Sequence, residues 1–153
     1  MKNFLVLIAV VAVVGVGYVV LSSPKESETN QASTSIVSDR TSISYVAGAY
    51  QTFSQGAYEK ALADGKTVIL DFHADWCPTC VANKKIIEAE FEANLDTNLV
   101  GFQVNYDTER EMKRAFNVTI QGMIIKTTAL GEIGRLGPNP TTTKEFVAFM
   151  KSS

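Results

Sequence analysis

Cys77 and Cys80 are the only two cysteines in this chain of 153 residues, and they lie three positions apart in Trp76-Cys77-Pro78-Thr79-Cys80. At that spacing in the first turn of a helix, one sulfur attacks a disulfide as a thiolate and the other returns to resolve the mixed disulfide. The free N–H groups and the dipole of a helix N-terminus favour an anion there. Pro78 suits the first helical position, where its φ fits and its missing N–H costs nothing. On this reading Cys77 is the exposed attacking thiol and Cys80 the more buried resolving thiol. Two other uses compete. A structural disulfide closing so short a loop would constrain the unfolded chain little. A structural zinc site usually takes four protein ligands, and two cysteines and one histidine do not supply them.

The elements around the pair must hold it. Thr67 to Phe72 is a short apolar, β-branched run and reads as a buried strand ending just before the cysteines. Val81 to Phe91 is helical, with Val81, Ile86, Ile87 and Phe91 as inward positions and Lys84 and Lys85 outward. Ala57 to Ala63 is a helix stopped by Asp64-Gly65. Leu99 to Val104 is a second strand, Glu109 to Phe116 a short helix, and Gly122 to Lys126 a third strand. Gly131 turns into a fourth strand, Glu132 to Leu136. Thr143 to Lys151 closes the chain as a helix with Phe146, Val147 and Met150 at core spacing. Alternating elements imply parallel strands with crossover helices, and the tight final turn implies a hairpin. The expected fold class is therefore α/β, with a mixed central sheet flanked by helices.

The first 44 residues have a different texture. Phe4 to Leu21 is uncharged and apolar, and eighteen residues at about 1.5 Å each span roughly 27 Å, close to a bilayer core. An uncleaved signal anchor is the preferred reading, with a cleaved signal peptide as the alternative. Lys2 inside the cell and the domain outside satisfy the positive-inside rule. Residues 22–44 carry eight serines and few apolar side chains, the composition of a flexible tether. Residues 45–153 form the domain, which is expected to be periplasmic or otherwise extracytoplasmic. Formal net charge is −2, with 20% charged residues, so the chain lacks the basic footprint of a nucleic-acid binder.

Asp71-Phe72-His73-Ala74-Asp75-Trp76-Cys77-Pro78-Thr79-Cys80 closely resembles the active-site strand and helix start of the thioredoxin superfamily. It is also similar to the periplasmic domain of transmembrane disulfide reductases. The resemblance covers roughly residues 50–152. It implies a thioredoxin-like fold and thiol–disulfide exchange with protein substrates, more in the reducing than the oxidising direction, with a membrane thiol reductase upstream. It implies that Asp71 is buried behind Cys80 and takes its proton. It gives Trp76 a shielding and partner-contact role beside Cys77, the alternative being plain core packing. Pro78 and Thr79 would help set the potential. No prosthetic group is required. His73, the only histidine, is expected to be a packing or surface residue at the strand end, with stabilisation of the thiolate as the alternative.

One stretch departs from the resemblance. Aligning Phe116-Asn117-Val118 with the family's aromatic-Gly-Val puts Gly122 where the family places a cis-proline, and Gln121-Gly122-Met123 replaces Ile-Pro-Thr. A non-proline cis bond costs about 2.5–4 kcal/mol, so the bond to Gly122 is expected to be trans, or its loop mobile. Backbone pairing with substrate through Gln121 is then in question. Loss of the proline opens a second reading: Met123, two thiolates and His73 as a soft copper(I) site for binding or delivery. A third is a membrane-tethered interaction module without turnover. Gln103 stands where some thioredoxins carry a lysine near the buried acid.

Overall fold

The strand leading to Cys77 lies at the centre of the sheet. In this computed structural model, which describes residues 44–152, β2 (Thr67–His73) is buried from Val68 onward, as a strand covered on both faces must be. The other strands are β1 (Tyr50–Thr52), β3 (Leu99–Asn105), β4 (Ile124–Thr128) and β5 (Gly131–Leu136). The helices are α1 (Gln55–Ala63), α2 (Pro78–Ala93), α3 (Arg110–Ala115) and α4 (Thr143–Lys151). The strand order is β1-β3-β2-β4-β5. β1, β3 and β2 run parallel, and β4 and β5 are antiparallel. This is the mixed sheet expected from the alternation of elements, with β1 as an added edge strand too short to carry a pattern.

Side-chain alternation sorts β2 into two cores. Val68, Leu70 and Phe72 pack with Val100, Phe102 and Val104 against α1 and against Met112 of α3. Ile69 packs on the other face with Ile87 and Phe91 of α2 and Phe146 and Phe149 of α4. Burying each such side chain contributes about 1.5–3 kcal/mol. Asp71 and His73 share the Ile69 face and are equally buried. On α2 the expected inward Val81 is exposed, and Asn83 is buried instead. On α4 the buried pair is Phe146 and Phe149, while Val147 is half-buried.

Local chemistry fixes the ends. Ser54 caps α1 by accepting from Ala57 N–H. Thr142 and Glu145 form a reciprocal capping box on α4. Asn117, where the resemblance places a glycine, sits at φ 50, a left-handed conformation that asparagine tolerates better than most residues. The signal-anchor expectation for residues 4–21 and nearly all of the tether lie outside the described residues. Among the described residues no helix is long and apolar enough to cross a membrane.

Candidate active site

Cys77 is the N-cap of α2. Its backbone is extended, Pro78 opens the helix, and Cys77 Sγ accepts the backbone N–H of Cys80 at 3.4 Å. The sulfur thus takes one of the donors that a helix N-terminus leaves without an intrahelical partner. Burial pushes the Cys77 thiol up, but hydrogen bonds from the Cys80 side chain, from the backbone of Cys80 and Thr79, and from the Gln121 side chain outweigh it. The net shift is downward. Cys80 moves the other way, to about 12, through burial and through Cys77's hold on the shared proton, with the charge of Asp71 adding to this. A low-pKa and a high-pKa thiol side by side are the two partners that disulfide exchange needs. Cys77 is less open than expected: it exposes 7% of its surface against 0% for Cys80. Turning back over the helix start packs it with Ala74, Cys80 and Tyr106.

Behind the thiols lies a buried polar row. Asp71 is fully buried among apolar strand neighbours and stands in register with Gln103. Tyr50 OH donates to Asp71 Oδ2 at 2.7 Å, while among the described residues Oδ1 has no partner. His73 is buried, which overturns the surface reading. Its Nε2 lies 3.1 Å from Asp75 Oδ1 and its Nδ1 3.7 Å from Asp71 Oδ2. The side chain of Asp75 is exposed.

The rim carries the remaining expected residues. Trp76 is 62% exposed, so the core-packing alternative fails, and its indole N–H donates to Asp107 at 3.0 Å. Pro78 is exposed and Thr79 half-buried beside it. Gly122 approaches the thiols: a Cβ there would stand 3.6 Å from Cys80 Sγ and 3.4 Å from Pro138 O. Its peptide bond is trans, since among the described residues the cis bond is Gly137-Pro138. Gly122 N–H donates to Phe72 O at 2.8 Å and its φ is +79°, both of which a proline would forbid. Met123 corrects the copper reading. It packs in the Phe72 core, on the face shared with Ile125, and is absent from the cysteine cluster. Among the described residues no three His, Cys, Asp or Glu side chains converge to hold a metal.

Two residues with site contacts were missed in the sequence. Tyr50 lies in a three-residue strand without periodicity. Asn83, buried on α2, accepts the backbone N–H of Thr141 at 2.9 Å and ties the loop before α4 to the helix that carries the cysteines. Its only signal is a polar residue six positions after Cys77, at a distance no motif predicts.

A thioredoxin-like family model matches residues 49–121. The chain is 35% identical over 69 residues to the thiol:disulfide interchange protein DsbD of Pseudomonas fluorescens, a match covering 42% of this chain and 12% of that protein. Among solved structures, Trxlp from Edwardsiella tarda is similar over 68% of this chain and 100% of its own, with a TM-score of 0.63 and 26% identity. A mutant thioredoxin from Halobacterium salinarum, at 14% identity and a TM-score of 0.60, covers 71% of this chain and 93% of its own and shares the fold.

Proposed function

Because the chain carries a domain of the thioredoxin superfamily, we propose that it is an extracytoplasmic thiol–disulfide oxidoreductase that reduces protein disulfides through Cys77 and Cys80. The opposed shifts of the two thiols at one helix N-terminus carry this reading. The Cys77 thiolate attacks a substrate disulfide, forming a Cys77–substrate bond and releasing one substrate thiolate. Cys80 gives its proton to Asp71 and attacks Cys77. The Cys77–Cys80 bond forms, and the second substrate sulfur leaves with the electron pair of the broken bond. An upstream membrane thiol reductase returns the two electrons. The donors that lower Cys77 are neutral groups, so its thiolate is stabilised only moderately, which favours a reductant over a strong oxidant. Trp76, Pro78, Thr79 and Gln121 form the surface offered to the substrate, and Gly122 is buried next to Cys80. Residues 4–21 anchor the domain to the outer side of the cytoplasmic membrane. The test is trapping: Cys80→Ser should accumulate disulfide-linked complexes with extracytoplasmic proteins, and Cys77→Ser should accumulate none. Equal trapping by both variants overturns the assignment.

A further inference from the structure

Asp71 has no route to water of its own. It is fully buried, and the Tyr50 hydroxyl on Oδ2 is a donor whose proton is held far more tightly than usual by burial and by the charge of Asp71. Yet a carboxylate that takes the Cys80 proton must be emptied before it can act again. The outward path is His73. Among the described residues its Nδ1 has no hydrogen-bond partner; it lies 3.7 Å from Asp71 Oδ2, a gap that a small side-chain rotation closes. Its Nε2 lies 3.1 Å from Asp75, whose side chain is 90% exposed. The ring bridges two carboxylates, with Nε2 on Asp75 and a buried, unpartnered Nδ1 facing Asp71, a cost in stability that packing alone does not explain.

We propose that His73 and Asp75 form the proton conduit between Asp71 and solvent. The inference rests on the exchange reaction proposed above. After Cys80 attacks, protonated Asp71 gives its proton to Nδ1 of neutral His73, and Nε2–H passes its proton to Asp75 and then to water. When the Cys77–Cys80 bond is reduced, Cys80 leaves as a thiolate, Nδ1–H passes its proton to Asp71, Asp71 hands that proton on to Cys80, and Nε2 is reprotonated from the Asp75 side. The second half-reaction restores the starting tautomer, so the cycle closes. The titratable groups facing this path are Asp71 and Asp75 on the His73 segment, Tyr50 from β1, and Cys80 and Glu88 from α2. β3 places uncharged Asn105 in register with His73. The neighbouring carboxylates, Asp71 first and then Asp75, outweigh burial and hold His73 above its ordinary range.

The test is stopped-flow Trp76 fluorescence of the reduced full chain mixed with oxidised glutathione, from pH 5 to 9. The wild type should show second-order attack followed by first-order resolution, the latter inflecting above pH 6.5, the ordinary histidine value. His73→Phe should slow resolution about tenfold and abolish the inflection, leaving attack and the reduction potential unchanged. Asp75→Asn, at an exposed position, should move the inflection to lower pH and slow resolution severalfold. Unaltered resolution in His73→Phe overturns the conduit, as does equal slowing of attack and resolution. If His73→Phe does not fold, an unshifted Asp75→Asn profile overturns it alone. A wild type with no resolution phase overturns the exchange reaction itself, and the conduit with it.

Discussion

Tyr50 and Asp71 are hydrogen-bonded at 2.7 Å although their strands are not neighbours: β3 runs between them. The ring crosses β3 at Gly101, where a Cβ would come 2.8 Å from Tyr50 Cδ2 and 2.7 Å from Phe91 Cζ. Tyr50 and Phe91 stack there with centroids 5.9 Å apart. A glycine on the middle strand therefore lets an edge-strand tyrosine reach the buried acid.

Tyr50→Phe keeps that packing but leaves Asp71 Oδ2 unpartnered. The expected cost is about 1–3 kcal/mol, read as a lower urea midpoint at unchanged slope. Gly101→Ala should cost at least as much, because the ring must move as well. An unchanged midpoint in both variants would mean that the bond holds nothing.

The two thiols should titrate far apart. The Cys77 thiolate forms below the ordinary thiol value of 9.0, whereas Cys80 stays protonated to about pH 12. Iodoacetamide should therefore label one thiol near neutral pH, and mass mapping should place it at Cys77. The raised Cys80 value also bears on stability. Its contribution to the reduced protein is fully present below pH 9 and is lost as pH rises toward about 12, because only the unfolded chain ionises in that window. A reduced form whose stability is flat across that range would contradict the assignment.

Gly122 should reject the residue that the family resemblance suggests. At φ +79° with its N–H bonded to Phe72 O, Gly122→Ala should destabilise by about 1–2 kcal/mol, and Gly122→Pro by more, since it also removes that donor. Thermal melts of the three proteins should rank in that order. A more stable proline variant would mean that the Gln121–Gly122 turn is misplaced.

What was legible in the sequence followed from strong local signals. The apolar β-branched run of β2, the Pro78 helix start and the Ala129-Leu130 turn each specify backbone geometry without help from distant residues. Asn117 aligns with a family glycine in the sequence, and its left-handed backbone is visible only in the structure. The polar row behind the thiols was only half legible. Burial of Asp71 is legible, whereas the sequence leaves His73 between packing and a surface position, because its burial depends on which elements cover the Ile69 face. Tyr50 was invisible for the same reason: its role arises from a sheet order that places β3 between it and its partner. The copper reading puts Met123 on the wrong face because the register of β4, which alternation turns into a choice of face, is set by its pairing with β2.

Lys126 gives a fold-level prediction. It is buried in β4, and its ammonium donates to the carbonyls of Phe149, Met150 and Ser152 at the end of α4. A cation there satisfies carbonyls that the helix leaves open. Lys126→Met should fray α4 and cost about 1.5–3 kcal/mol, seen as faster amide exchange confined to residues near 146–152. Exchange spread evenly over the domain would contradict this capping role.

The central claim is that Cys77 and Cys80 form a working redox couple, and its most direct test is the reduction potential of the full chain equilibrated with glutathione or dithiothreitol. A reversible two-electron couple near the thioredoxin value of about −270 mV is the predicted result. A value near about −120 mV would reverse the direction of the reaction, and the absence of a reversible couple would contradict the account.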